Sequence, residues 1–176
     1  EGRRQADLLG RRLAAEHAGG APIDAIYVTT LRRTRETAAP LARIVGIEPL
    51  VERDLREVHL GEWEGGAFRA RVAAGDPIFE RVSADERWDH IPGAEPLEDF
   101  DRRLREATAR LVACHPDQRI VVVTHGGVIG HLLHQACGAR RFAFGGAENA
   151  SISEVVHVSG RQLVRRFNDT GHLTAA

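Results

Sequence analysis

The run Ile120-Val121-Val122-Val123-Thr124-His125-Gly126-Gly127 constrains the fold more than any other part of the chain. Four consecutive β-formers without polar alternation suit a strand buried on both faces of a parallel sheet. The run breaks at a threonine, a histidine and two glycines, and an apolar, helix-like segment, 128–137, follows. In an open α/β sheet such a junction is the carboxyl end of a strand and the amino end of a helix, where ligands bind. Free N–H groups at a helix start attract anions, and Gly126 lets a phosphate come close to the backbone. His125 is placed either to touch that anion or to cap the sheet; this stretch alone favours neither.

The preceding chain alternates the two periodicities. Residues 5–18 carry Ala6, Leu9, Leu13 and Ala14 at helical spacing, and Gly19, Gly20 and Pro22 stop the helix. Residues 25–28 read as a short buried strand, and 31–45 as a second helix between a Thr30 N-cap and a Gly46 C-cap. A strand is expected at 49–51, irregular chain at 54–60, and a glycine-bracketed loop at 61–66. Helices are expected at 68–74, 77–88 and 97–114, the last with Phe100, Leu104, Ala107 and Leu111 inward. Alternation of period two over 151–158 and 162–167 predicts a hairpin turned at Ser159-Gly160, and 168–176 reads as a tail. No repeat, low-complexity tract or linker divides the chain. Strands alternating with helices predict one α/β domain, a three-layer α/β/α sandwich around a mostly parallel central sheet.

Composition narrows the chemistry. The formal net charge of −1 gives no electrostatic case for nucleic acid or a membrane surface as partner. No apolar run approaches the ~20 residues of a membrane span, and the N-terminus lacks the apolar core of a signal peptide. Cys114 and Cys137 have no disulfide-framework or metal-ligand spacing, so they read as free thiols in a reducing, cytoplasmic setting. All 24 residues counted as Lys or Arg are arginine, which excludes a Walker A lysine and lysine Schiff-base chemistry. There is also no methionine, and the chain opens in what reads as the start of a helix. The expectation is that its beginning is missing.

Few residues stand out as chemical agents. Arg33 lies in the first turn after the 25–28 strand, at the same kind of sheet edge as His125. A guanidinium there would grip a phosphate in two-pronged fashion, whereas Arg32 and Arg35 point elsewhere and read as surface charges. Glu57, between Leu55 and Val58, reads as a surface charge or as a carboxyl with a raised pKa suited to general acid work. His131 and His134 stand three apart on a helix, but with no acidic partner at ligand spacing they predict no metal site. Trp63 and Trp88 read as core, with pocket wall as the alternative. The remaining histidines form no pattern.

Five stretches, in order, then resemble the histidine phosphatase superfamily, the phosphoglycerate-mutase-like enzymes. They are Gly2 to Ala6, Ile26 to Ala38, Leu55 to Gly65 (Leu-Arg-Glu-Val-His-Leu-Gly-Glu-Trp-Glu-Gly), Val122 to Gly127, and Phe167 to Leu173. The resemblance implies that Arg33 binds phosphate, that His125 is the second active-site histidine, and that Glu57 is the acid/base carboxylate. It implies metal-free phosphoryl transfer through a phosphohistidine, on a small phosphorylated substrate and without a cofactor, and it admits a homodimer. Of these roles, that of Glu57 rests mainly on the resemblance.

The departure from the family pattern is large. The family's nucleophile belongs to an Arg-His-Gly motif ending a first strand, and no Arg-His-Gly occurs here. The expectation is therefore a chain lacking its first, central strand, which alone would fold poorly and turn nothing over. Three functions compete: a phosphomonoesterase, a phosphoglycerate mutase, and an inactive phosphate-binding or scaffold homologue. The short stretch between Gly66 and Gly93 favours the phosphatase over the mutase, which resembles this pattern with longer insertions there.

Overall fold

In the computed structural model, which describes residues 1–174, the central pairing joins strand β1 (Ala25–Val28) to β3 (Ile120–Val123) in parallel, Ala25 opposite Ile120 through Val28 opposite Val123. A two-residue strand, β2 (Leu50–Val51), pairs in parallel with the other edge of β1, giving the order β2-β1-β3. The expected parallel α/β sheet is present. The period of two within each strand decides what covers it. Ile26, Val28, Val121 and Val123 face a core completed by Leu9 and Leu13 of helix α1 (Gly2–Ala18) and Ala38 and Leu41 of α2 (Arg32–Val45). Tyr27, Ile120 and Val122 face the other side, where Phe100, Leu104, Ala107 and Leu111 of α5 (Leu97–Cys114) join Leu55 and Val58.

Several boundaries moved for identifiable reasons. Residues 120–123 were expected to be fully buried, and they are half-buried. Their strand ends the three-stranded ladder, so one of its edges carries no strand partner among the described residues. The helix after it, α6 (Gly126–Cys137), starts two residues earlier than expected, with His125 as its N-cap. Leu31 rather than Thr30 occupies the N-cap of α2, because Thr34 reaches back to the Thr29 N–H at 3.1 Å and Thr29 takes the Leu31 N–H at 3.3 Å. Gly46 closes that helix in the left-handed conformation at φ 73°, as its position after the last apolar residue predicted.

Between β2 and α5 the chain forms a lobe of short elements. It holds 3-10 turns at Arg53–Leu55, Gly61–Trp63 and Trp88–His90, and helices α3 (Ala67–Ala73) and α4 (Pro77–Asp85). The helix expected to run to 88 stops at Asp85, since Glu86 turns left-handed at φ 54°. Trp63, Val82 and Ile91 form the lobe's core, with Phe68, Phe79 and the half-buried Trp88 against it.

The C-terminal hairpin, β4 (Ile152–Val158) and β5 (Arg161–Asp169), is a separate antiparallel sheet. Of the segment expected to be a tail, residues 168 and 169 instead complete β5 and residues 171–174 form a turn of helix, α7 (Gly171–Thr174), capped where Asp169 accepts the Gly171 N–H at 2.9 Å. The last two residues of that expectation lie outside the described ones.

Candidate active site

The carboxyl ends of β1 and β3 lie side by side, and each hands the chain to a helix carrying a predicted site residue. His125 follows β3 and is 5 % exposed. Arg33, in the first turn of α2, donates from Nε to His125 Nδ1 at 3.1 Å. The other ring nitrogen, Nε2, lies 2.9 Å from Thr29 Oγ1, which in turn lies 3.1 Å from Thr34 Oγ1, and Thr34 donates to the Leu31 carbonyl at 2.8 Å. An arginine has no acceptor, so Nδ1 must be unprotonated and Nε2 carries the hydrogen. The donors then run one way, from His125 through two buried threonines to a backbone carbonyl. Burial, reinforced by the positive charges of Arg33 and Arg103, pushes the His125 pKa down to about 4.

Glu57 follows the 3-10 turn at Arg53–Leu55 and reaches the start of α6. One carboxylate oxygen accepts the Val58 N–H at 3.1 Å, and the other accepts the Gly127 N–H at 3.4 Å. The helix start thus does hold an anion, and it is Glu57's own carboxylate. Burial raises the Glu57 pKa, against the pull of the Val58 and Gly127 N–H groups and of Arg33. A Cβ at position 127 would stand 2.7 Å from Glu57 Oε1, so a side chain there would push the carboxylate aside.

A cleft of about 570 Å³ opens over these residues. Arg33 and Glu57 line it, together with Arg56, His59, Trp63 and Phe68 of the lobe. His125 lies behind Arg33 and is not part of the wall, and Gly126 is the first residue of the helix beneath. Trp63 serves both readings given to it, buried in the lobe core and lining the cleft.

The histidines on α6 stay out of the cleft. His131 is buried and has found an acidic partner after all, Asp101 at 2.6 Å on α5, while His134 bonds the Ala139 carbonyl. Among the described residues no group of three His, Cys, Asp or Glu side chains could hold a metal ion.

Sequence reasoning missed Thr29, Thr34 and Arg103. Threonine at a strand end and arginine on an amphipathic helix are ordinary residues for those places; only the pairing across 96 and 46 positions gives them roles. His59, which fitted no pattern, lines the cleft with Nδ1 3.1 Å from Glu64.

The sequence profile of the histidine phosphatase superfamily (branch 1) matches residues 1–170. The chain belongs to this superfamily. Among relatives of this histidine phosphatase chain, the phosphoglycerate mutase-like protein 4 of Arabidopsis thaliana is 36 % identical over 137 residues, covering 77 % of this chain and 58 % of its own. The metal-independent phosphoserine phosphatase of the same plant is 27 % identical, over 99 % of this chain and 71 % of its own. The structure of mycobacterial glucosyl-3-phosphoglycerate phosphatase with inorganic phosphate superposes with a TM-score of 0.77, at 30 % identity, over 97 % of this chain and 86 % of that one. The chain spans 58 % and 42 % of the length of the first curated relatives it matches.

Proposed function

We propose that this histidine phosphatase chain belongs to a metal-independent phosphomonoester hydrolase acting through a phosphohistidine. The observation that carries the reading is the meeting of Arg33 and Glu57 in one cleft wall, with a neutral His125 bonded directly behind Arg33. The guanidinium would grip two non-bridging oxygens of the phosphoryl group and offset charge developing there, while His125, accepting from its Nε, would hold it in line. Gly126, the first residue of α6, would leave room for the phosphoryl group beside the backbone. Glu57, whose hold on a proton burial strengthens, would protonate the departing oxygen, then take a proton from the water that cleaves the phosphoenzyme. The attacking nucleophile in this scheme is a histidine outside residues 1–176, brought to the free edge of β3.

The hydrolase names of relatives support net phosphate release over transfer, as does the short lobe between Gly66 and Gly93. A cytoplasmic setting fits two exposed cysteines without a disulfide, and no helix among the described residues is long and apolar enough to cross a membrane. A homodimer belongs to the same reading and is checked by light scattering.

The test is phosphate release from p-nitrophenyl phosphate by the full-length protein, with residues 1–176 alone and the His125→Ala variant alongside. The full-length protein is expected to turn over. The short chain is expected to release nothing, and His125→Ala to lose about 100-fold, the order lost when a group that grips the substrate shifts by about 1 Å, because Arg33 loses the partner that fixes it. Full activity in His125→Ala removes His125 from the mechanism. Exchange of phosphate between positions of phosphoglycerate, without net release, would make the protein a mutase.

A further inference from the structure

The segment that delivers Glu57 is a single 3-10 turn, Arg53–Leu55, that runs on into neither helix nor strand, so its carbonyls need partners from elsewhere. Four consecutive ones find them in two side chains. Thr124 donates to the Leu55 carbonyl at 2.7 Å. Arg103, on α5, takes the other three: Nη1 donates to Asp54 at 2.5 Å and to Arg56 at 2.9 Å, and Nη2 donates to Glu57 at 3.2 Å. The rest of the guanidinium is held by Glu95, with Nε donating to one carboxylate oxygen at 2.6 Å and Nη2 to the other at 2.8 Å. All five N–H donors of Arg103 are thereby used. The group also lies over the Phe100 ring, 4.8 Å from its centre. Glu95 extends the grip past Glu57, since its carboxylate accepts the His59 N–H at 3.4 Å and its own N–H donates to the His59 carbonyl at 2.9 Å. Both partners keep only 14 % and 13 % of their side chains exposed.

We infer that the Arg103–Glu95 pair is a positioning device for the acid/base carboxylate, fixing the backbone on both sides of Glu57 so that its carboxyl meets the leaving oxygen. The inference rests on Glu57 being the proton donor. An ion pair that merely closed the lobe would need one or two contacts; this one spans residues 54 to 59, centred on Glu57. Lysine cannot replace the arginine. Its ammonium keeps the charge but has three donors and no plane, so it cannot hold three carbonyls and a carboxylate together.

Leaving-group dependence separates this role from a structural one. p-Nitrophenolate departs without help, whereas an alkoxide needs the proton, and kcat/KM covers the steps through departure of the leaving group. Full-length Arg103→Lys, Glu95→Gln, Glu57→Gln and, as control, Arg102→Gln are compared on glycerol phosphate and p-nitrophenyl phosphate. Arg102 sits on the exposed side of the same helix, paired with Asp99. General acid help contributes about 10²–10⁴-fold. Arg103→Lys and Glu95→Gln are therefore expected to lose at least about tenfold more kcat/KM on the alkyl ester than on the aryl ester. Arg102→Gln should keep the wild-type ratio, and adding Arg103→Lys to Glu57→Gln should shift the ratio no further. Equal losses on both esters in Arg103→Lys and Glu95→Gln, or no loss, overturn the inference. If Glu57→Gln itself shows no leaving-group dependence, the assignment of Glu57 falls and the inference with it; if it alone shows one, only the inference falls.

Discussion

An arginine can only donate, and that determines the state in which His125 waits. With Arg33 on Nδ1 and burial opposing charge, the imidazole is neutral well below its ordinary titration range. Labelled-histidine NMR should find its midpoint near 4, and Arg33→Gln should raise it by removing the adjacent positive charge. The stability consequence has a definite sign. Between about 4 and 6.5 the unfolded chain binds a proton that the folded chain refuses, so His125 lowers stability as the pH falls through that window. Glu57 acts the other way. Its raised pKa makes the folded chain hold a proton the unfolded chain has released, so its contribution is lost as the pH rises above 4.5. Arg33 and His125 were legible because each follows a strand, at a place where ligands collect. The threonines that take up the Nε2 hydrogen were not, because a buried hydroxyl relay has no sequence spacing of its own.

The decisive element is α6, whose first turn is shaped to Glu57. A methyl at position 127 would overlap the carboxylate, so Gly127→Ala should displace Glu57 while leaving the helix intact. The expected outcome is loss of kcat/KM on alkyl phosphates toward the level of Glu57→Gln, with the melting temperature nearly unchanged. At this scale the helices were readable where an apolar stripe ran for three turns or more, as in α1, α2 and α5. The 3-10 turns and the end of β5 were not, since a three-residue turn is too short to show a period and the last pairing of β5 lies beyond a register shift in the hairpin. The grip of Arg103 was equally hidden: its position on α5 is what any solvated arginine on an amphipathic helix would show.

Across the whole molecule, the layers on the two sides of the sheet were foreseeable from strands alternating with helices. The independence of the β4–β5 hairpin was not, because strand pairing is chosen by tertiary contact. Packing between α1 and α2 offers a test of that architecture. A Cβ at Gly10 would stand 2.9 Å from both Leu41 N and Pro40 Cβ. Alanine favours a helix over glycine by about 1 kcal/mol, but forcing two close helices apart costs about 1–3 kcal/mol. Gly10→Ala should therefore lower the urea midpoint of the full-length protein. The bond between Arg33 and His125 carries a broader consequence, since it joins residues 92 positions apart across the β1–β3 pairing. No fragment of the sheet can bring Arg33 and His125 together by itself. A half-formed molecule would have no half-measure of activity, and would not release phosphate prematurely while the chain is still being synthesised.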